Sequence, residues 1–290
     1  MPIIEVVPDS PDLSHLSIED SRWLYENFEL IKDNMNSNFY HEIAAGRVPG
    51  KAPVNKFGET TNADSGVATD IWNGANPTDD IAIWIPPTIA RMHSLFSNSV
   101  NDIILGTGLR TVRVYGLLDW DTTEVSEVVD MNGIGAANTA NEYVIIHRLK
   151  PLTWGSAGPN VGQIEAVAAV DGTITAMILA GRGQTEMAIY GIPTGKQLLM
   201  DAFYASAIKS AVGISGAITL LENPIPKEQL AGFVVKHSEG LMTTGTNFIP
   251  HEFHPPKVFT GPSILKLQVD TSSNNTVVSG GFDGVLEDVA

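Results

Sequence analysis

From about residue 101 onward the sequence is a succession of short runs rich in valine, isoleucine, threonine and tyrosine, broken every few residues by glycine, asparagine or proline. Runs at 111–115, 143–148, 163–168, 173–179, 186–190, 217–221, 233–236, 264–269 and 284–286 recur near the spacing of roughly 8–12 residues typical of sandwiches and barrels. Two of them alternate in polarity, Thr111-Val112-Arg113-Val114 and Ile264-Leu265-Lys266-Leu267-Gln268-Val269. Alternation puts one set of side chains on a dry face and the other on a wet face, as antiparallel sheets do. The pattern therefore predicts a mainly β chain folded as an antiparallel β-sandwich. Asp171-Gly172 reads as a two-residue hairpin turn, and Asn274-Asn275 as the turn after the run ending at Val269. Residues 197–209 are ambiguous, because Leu198, Leu199, Phe203 and Ala207 suit a helix. Phe203-Tyr204 and the flanking runs favour a strand.

The first hundred residues read differently. Pro2, Pro8 and Pro11 keep the start extended. Ser17 with Asp20 three residues on resembles a capping box. Leu24, Phe28, Ile31 and Met35 then fall on one helical face at spacings of four, three and four. Between residues 41 and 100, Pro49, Gly50, Pro53, Gly58, Gly66, Gly74, Pro77, Pro86 and Pro87 interrupt every long periodicity. Phe57, Ile71, Trp72, Trp84 and Ile85 argue against a disordered linker, which would be low in large apolar residues. The expected organisation is a short N-terminal helix and an extended, ordered arm over 1–100, then a β-sandwich domain over 101–290. Leu24, Phe28, Ile31, Met35, Trp72 and Trp84 are the candidate interface residues.

Composition narrows the function classes. The formal net charge is −16, from 33 acidic and 17 basic residues. Such a field repels phosphate backbones and disfavours direct nucleic-acid binding. No cysteine is present, which removes disulfides, thiolate nucleophiles and cysteine-ligated zinc. No apolar run reaches the eighteen residues of a membrane span, and no secretory signal is expected at the start. Charged residues are only 17% of the chain, below the ~25% of a typical soluble domain. That balance suits a protein that buries surface against neighbours.

Local motifs for chemistry are weak. His251-Glu252-Phe253-His254 does not fit zincin spacing, and on a strand His251 and His254 point to opposite faces. Asp119, Asp121 and Glu124 share a turn but lack the further ligands and glycine of a calcium loop. Gly191 to Lys196 is one residue short of a phosphate loop and is followed by Gln197. Neither Ser206 nor Ser215 sits in a nucleophile elbow. Trp120, Trp154 and Tyr204 could line a sugar-binding face or simply fill a core. The expectation is no enzyme activity, no catalytic residues, no cofactor and no metal.

Several segments taken in order carry a resemblance. They are Gly46-Arg47-Val48-Pro49-Gly50, Val54-Asn55-Lys56-Phe57-Gly58, Asp70-Ile71-Trp72-Asn73-Gly74 and Gly106-Thr107-Gly108-Leu109-Arg110-Thr111-Val112. Gly183-Gln184-Thr185, Ile192-Pro193-Thr194-Gly195-Lys196, Lys236-His237-Ser238 and Thr244-Gly245-Thr246 follow. The series resembles a family of virion structural proteins of tailed bacteriophages of marine and cyanobacterial type, over about residues 40–290. The resemblance implies a jelly-roll-like sandwich serving as a head decoration or cement protein that bridges capsomers. A tail or neck component, such as a fibre-attached or receptor-binding module, is the alternative. Expected partners are the major capsid protein and sister subunits in a homotrimer, with no nucleic acid and no membrane. The expected location is the capsid surface of the virion, after assembly in the host cytoplasm.

Overall fold

The computed structural model describes Arg22, Asn27 and residues 39–74, 83–208, 213–243 and 246–289. The chain divides into two compact units, Met1–Ala52 and Pro53–Ala290. In the first, residues 39–44 are helical. Gly46, at φ 70°, closes the helix end: its N–H donates to the Ile43 carbonyl and that of Arg47 to the Glu42 carbonyl. This is a Schellman closure, which needs the left-handed conformation glycine adopts without strain. The stripe Leu24, Phe28, Ile31 and Met35 lies outside the described residues.

The strands are β1 (Lys51–Ala63), β2 (Thr69–Asp70), β3 (Arg91–Ser97), β4 (Leu109–Leu117), β5 (Val125–Asp130) and β6 (Ala137–Tyr143). Next come β7 (Ile145–Trp154), β8 (Ile164–Ala168), β9 (Ile174–Ile178), β10 (Ile189–Ile192) and β11 (Lys196–Ile208). The last are β12 (Ile214–Asn223), β13 (Val234–Thr243), β14 (Thr246–Thr260), β15 (Ser263–Thr271) and β16 (Thr276–Asp288).

Eight of these build a sandwich. One sheet has the order β1-β16-β11-β14 and the other β10-β15-β12-β13. Numbered one to eight along the chain, with β2–β9 set aside, the orders become 1-8-3-6 and 2-7-4-5. That is the double Greek key of a jelly roll, and the expected mainly β, antiparallel fold is observed. Its core joins Leu198, Met200, Phe203 and Ala205 of β11 to Leu220 of β12, Leu265 and Leu267 of β15, and Phe282 of β16. β11 is the strand with helix-like spacing in sequence, and the cause is a bulge between Met200 and Ala202. One extra residue flips the phase, so Leu198 and Met200 point inward, then Phe203, Ala205 and Ala207.

Strands β3–β9 are inserted in the chain between the first two strands of the jelly roll and form a second β structure. Its sheets have the orders β6-β3-β8-β9 and β5-β4-β7. β7 also meets β9 and β5 meets β6, so seven strands wrap one core containing Leu95, Leu109, Val114, Tyr143 and Ile164. Entry and exit run side by side. β2 pairs with β15 beyond the end of β10. Trp72 bridges Met187, and the Asn73 N–H donates to the Glu186 carbonyl.

Three expectations are corrected here. Lys51–Ala63, Thr69–Asp70 and Arg91–Ser97 are strands and not an arm, since β1 and β2 pair into the jelly-roll sheets and β3 into the insertion. β1 hides from periodicity because its inward positions include Lys56, Gly58 and Thr60 beside Val54 and Ala63. Trp72 and Trp84 are 1% and 2% exposed within the insertion core, so they offer no side chain to a partner. The turn at Asp171-Gly172 is longer than two residues. Val170 takes φ 72° and Gly172 φ 70°, and the Asp171 carboxylate is drawn aside to Arg91 and Thr88.

The expected wet face of residues 264–269 is dry as well. Ile264 packs in the insertion core and Lys266 is 5% exposed, because the insertion covers this side of β15.

Candidate functional site

Polar residues from both sandwiches converge where they meet. β1 supplies Asn55 and Lys56, β4 Tyr115, β7 His147, Arg148 and Lys150, β10 Tyr190, and the segment before β5 Glu124. They line a cleft of about 350 Å³. His147 is its hub. Nδ1 donates to the Glu124 carboxylate at 2.5 Å, Nε2 accepts the Gly191 N–H at 3.2 Å, and the ring lies 4.4 Å from that of Tyr190. Lys56 Nζ donates to the His147 carbonyl at 2.5 Å, and Arg148 reaches back to the Asn55 carbonyl.

The electrostatics follow from burial. Desolvation, helped by the Arg148 charge and opposed by Glu124, lowers Lys56 to about 7. Burial also lowers the His147 imidazole, outweighing the support of Glu124. Burial opposes ionisation of Glu124, yet the His147 hydrogen bond and nearby cations hold the carboxyl below its ordinary range. Both imidazole nitrogens are committed, so His147 has no lone pair left to act as a base on a substrate. The cluster therefore acts as a polar tie between the two sandwiches.

One consequence is a pH dependence of stability. Between about 7 and the 10.5 of an ordinary lysine, the unfolded chain holds a proton that native Lys56 has shed. Stability should therefore rise with pH across that window. Lys56→Met should remove the rise, read as the difference between variant and parent urea midpoints at neutral pH and near the upper end of the window. Parallel midpoints in the two proteins would refute it.

The other sequence candidates do not assemble. Asp119 accepts the Asp121 N–H, Asp121 pairs with Lys227 at 2.6 Å, and Glu124 turns to His147. Trp120 is buried in the insertion core, Trp154 is half exposed at the end of β7, and Tyr204 lies on β11 of the jelly roll. His254 faces outward with Glu252, away from His251, as the strand argument expects.

A second feature was not legible in sequence. At one end of the insertion, three loops are joined by backbone hydrogen bonds: Ile104 N–H to the Met131 carbonyl, Gly133 N–H to that of Asp102, and Gly155 N–H to that of Gly108. They expose Val100, Ile104, Leu105, Ile134 and Trp154, with Leu105 at 90%. Beneath them Asp102 is fully buried. Its carboxylate accepts from Ser97 Oγ at 2.6 Å and from the N–H groups of Leu109, Val161 and Gly162 at 2.7, 2.9 and 2.8 Å. Charge-assisted bonds of this kind fix loop positions firmly. Val100, Ile104, Leu105, Ile134 and Trp154 therefore break the surface on loops tied to one buried carboxylate.

No helix among the described residues is long and apolar enough to cross a membrane. Comparisons with protein-family models, with characterised proteins and with solved structures returned no match.

Proposed function

We propose that the protein is a structural component of a tailed-bacteriophage virion, a head decoration protein that stabilises the capsid by bridging capsomers. The observation that carries this reading is the apolar loop cluster at the end of the insertion, held in place by the buried Asp102 carboxylate. Adhesion is what such a surface supplies. At ~25 cal/mol per Å² of apolar area, a modest contact becomes large when repeated around a shell, less the ordering cost at each site. The jelly roll fits this role, being common in viral shells, although lectins and cupins share it. The junction cluster supports the same reading, since its Lys56, His147 and Glu124 side chains are spent on internal ties. In this reading the partners are the major capsid protein and sister subunits in a homotrimer, and no turnover is involved.

The test is binding to purified particles depleted of the protein. Leu105→Asp combined with Trp154→Ser should weaken binding roughly tenfold or more, as loss of interface anchors does. Unchanged occupancy would remove the loop cluster from the interface. Copy number in intact virions separates this role from the tail or neck alternative. Hundreds of copies place the protein on the head lattice, whereas a dozen or fewer place it at the neck or tail.

A further inference from the structure

We propose that His237, Glu239 and His251 form a binding site for a divalent transition-metal ion of the zinc type, clipping one sheet of the jelly roll to the other. His237 and Glu239 lie on β13, the edge of one sheet, and His251 on β14, the edge of the other. Residues two apart on a strand share a face, which brings the first two together. His251 faces the same space because it stands opposite the core residue Phe203 on β11.

The donor atoms already converge. Glu239 Oε1 is 2.9 Å from His237 Nε2 and 3.0 Å from His251 Nδ1. All three donor atoms lie within 4.8 Å of one another. Ligand bonds of about 2.0–2.2 Å in a tetrahedral site separate neighbouring donors by about 3.3 Å. The two oxygen–nitrogen separations would therefore lengthen by only a few tenths of an ångström, and the two imidazole nitrogens start within 4.8 Å of each other.

The rings are held by packing. His237 and His251 lie 4.2 Å apart, Phe253 stands edge-on to both, and Phe203 packs 5.3 and 5.4 Å from them. All three ligands are partly exposed, so water can complete the coordination sphere. Two imidazoles and one carboxylate suit zinc and its neighbours in the first transition row, whereas calcium and magnesium prefer all-oxygen sets. The tie carries mechanical sense, because among the described residues β13 and β14 are each paired on one side alone. An ion there would link the two free edges.

The experiment is titration of chelator-treated full-length protein with zinc chloride, followed by calorimetry and thermal unfolding. Binding of one ion per chain with a Tm raised by a few degrees is expected, since a ligand that binds only the native state stabilises it. His237→Ala and His251→Ala should each weaken binding at least tenfold. Glu239→Gln, which keeps side-chain shape, should weaken it as well and guards against misfolding of the alanine variants. His254→Ala should leave affinity unchanged. Absence of saturable binding by the parent protein, or binding that survives loss of His237 and His251, would overturn the site.

Discussion

Replacing Asp70 by alanine should cost the fold about 3–5 kcal/mol, the range for removing one partner of a buried ion pair. Asp70 is fully buried. Its carboxylate accepts from Lys266 Nζ at 2.8 Å, from Gln268 Nε2 at 2.9 Å and from the Trp84 N–H at 2.8 Å. Burial raises the Asp70 carboxyl above its ordinary range, against the pull of Lys266 and the other two donors. The pair is thus an expensive arrangement that works only while complete. Without Asp70, the Lys266 amine loses its carboxylate partner at 5% exposure and is left beside the Phe233 ring, 4.3 Å away. The Trp84 N–H loses its acceptor in the same step.

A double-mutant cycle sharpens the argument. Lys266→Met with Asp70→Asn should be less destabilising than the sum of the two single changes, by about 1–3 kcal/mol, because each alone strands the other. Urea midpoints supply the numbers. A loss under about 1 kcal/mol for Asp70→Ala, the size for an exposed pair, would show that the contact is dispensable. Location makes the effect larger than its hydrogen bonds. Asp70 sits at the neck, where the chain leaves the jelly roll for the insertion, and it holds the backbone of Trp84 in the insertion core. Tryptophan fluorescence should therefore report loosening at the neck earlier than far-ultraviolet circular dichroism reports loss of strands.

The neck also shows what the sequence could disclose. Asp70-Ile71-Trp72-Asn73-Gly74 stands out as a motif, and the structure gives each residue a job. Ile71 packs in the jelly-roll core and Trp72 in the insertion core. Asn73 Nδ2 donates to Glu186 at 2.5 Å. Gly74 lies under the Trp72 ring, where an added Cβ would fall 2.0 Å from ring carbon. The motif is architectural, and nothing in its spacing could say so before two cores were visible.

Strand existence was readable wherever period-two alternation survived, as in β4 and β15. It was lost where polar residues face inward, as in β1, and where proline tolerance at a sheet edge breaks the pattern. β14, with Pro250, Pro255 and Pro256, is such an edge strand and among the described residues pairs with β11 alone. The insertion was hidden for a different reason. A jelly roll split by more than a hundred residues between its first two strands leaves no composition shift at either join.

The candidate metal ligands follow the same logic. The sequence motif sets His251 beside His254, whereas its neighbours in space lie fourteen and twelve positions earlier in the chain at His237 and Glu239, on the other sheet. Local motif spacing is blind to ligands assembled across two sheets.

Asp102→Ala should cost about 3 kcal/mol or more and should loosen the loop cluster before it unfolds the protein. Removing the carboxylate leaves three backbone N–H groups and the Ser97 hydroxyl without an acceptor. Each buried orphan is worth about 1–3 kcal/mol, reduced where water can enter. Asp102→Asn keeps the shape but turns an amide toward donors in place of one oxygen, so about half that cost is expected. Ser97→Ala removes one donor to the carboxylate and the acceptor of the Ser99 N–H, and should cost about 1.5–3 kcal/mol. Amide exchange at Leu109, Val161 and Gly162 would locate the damage, with protection lost there and retained in β11 and β15 of the jelly roll. The functional reading adds a second readout. If Val100, Ile104, Leu105, Ile134 and Trp154 adhere to a shell, Asp102→Ala at a temperature where the jelly roll stays folded should bind particles as poorly as the Leu105 and Trp154 double variant. Normal binding by a chain whose loops exchange freely would separate the carboxylate from adhesion and leave it a purely internal brace.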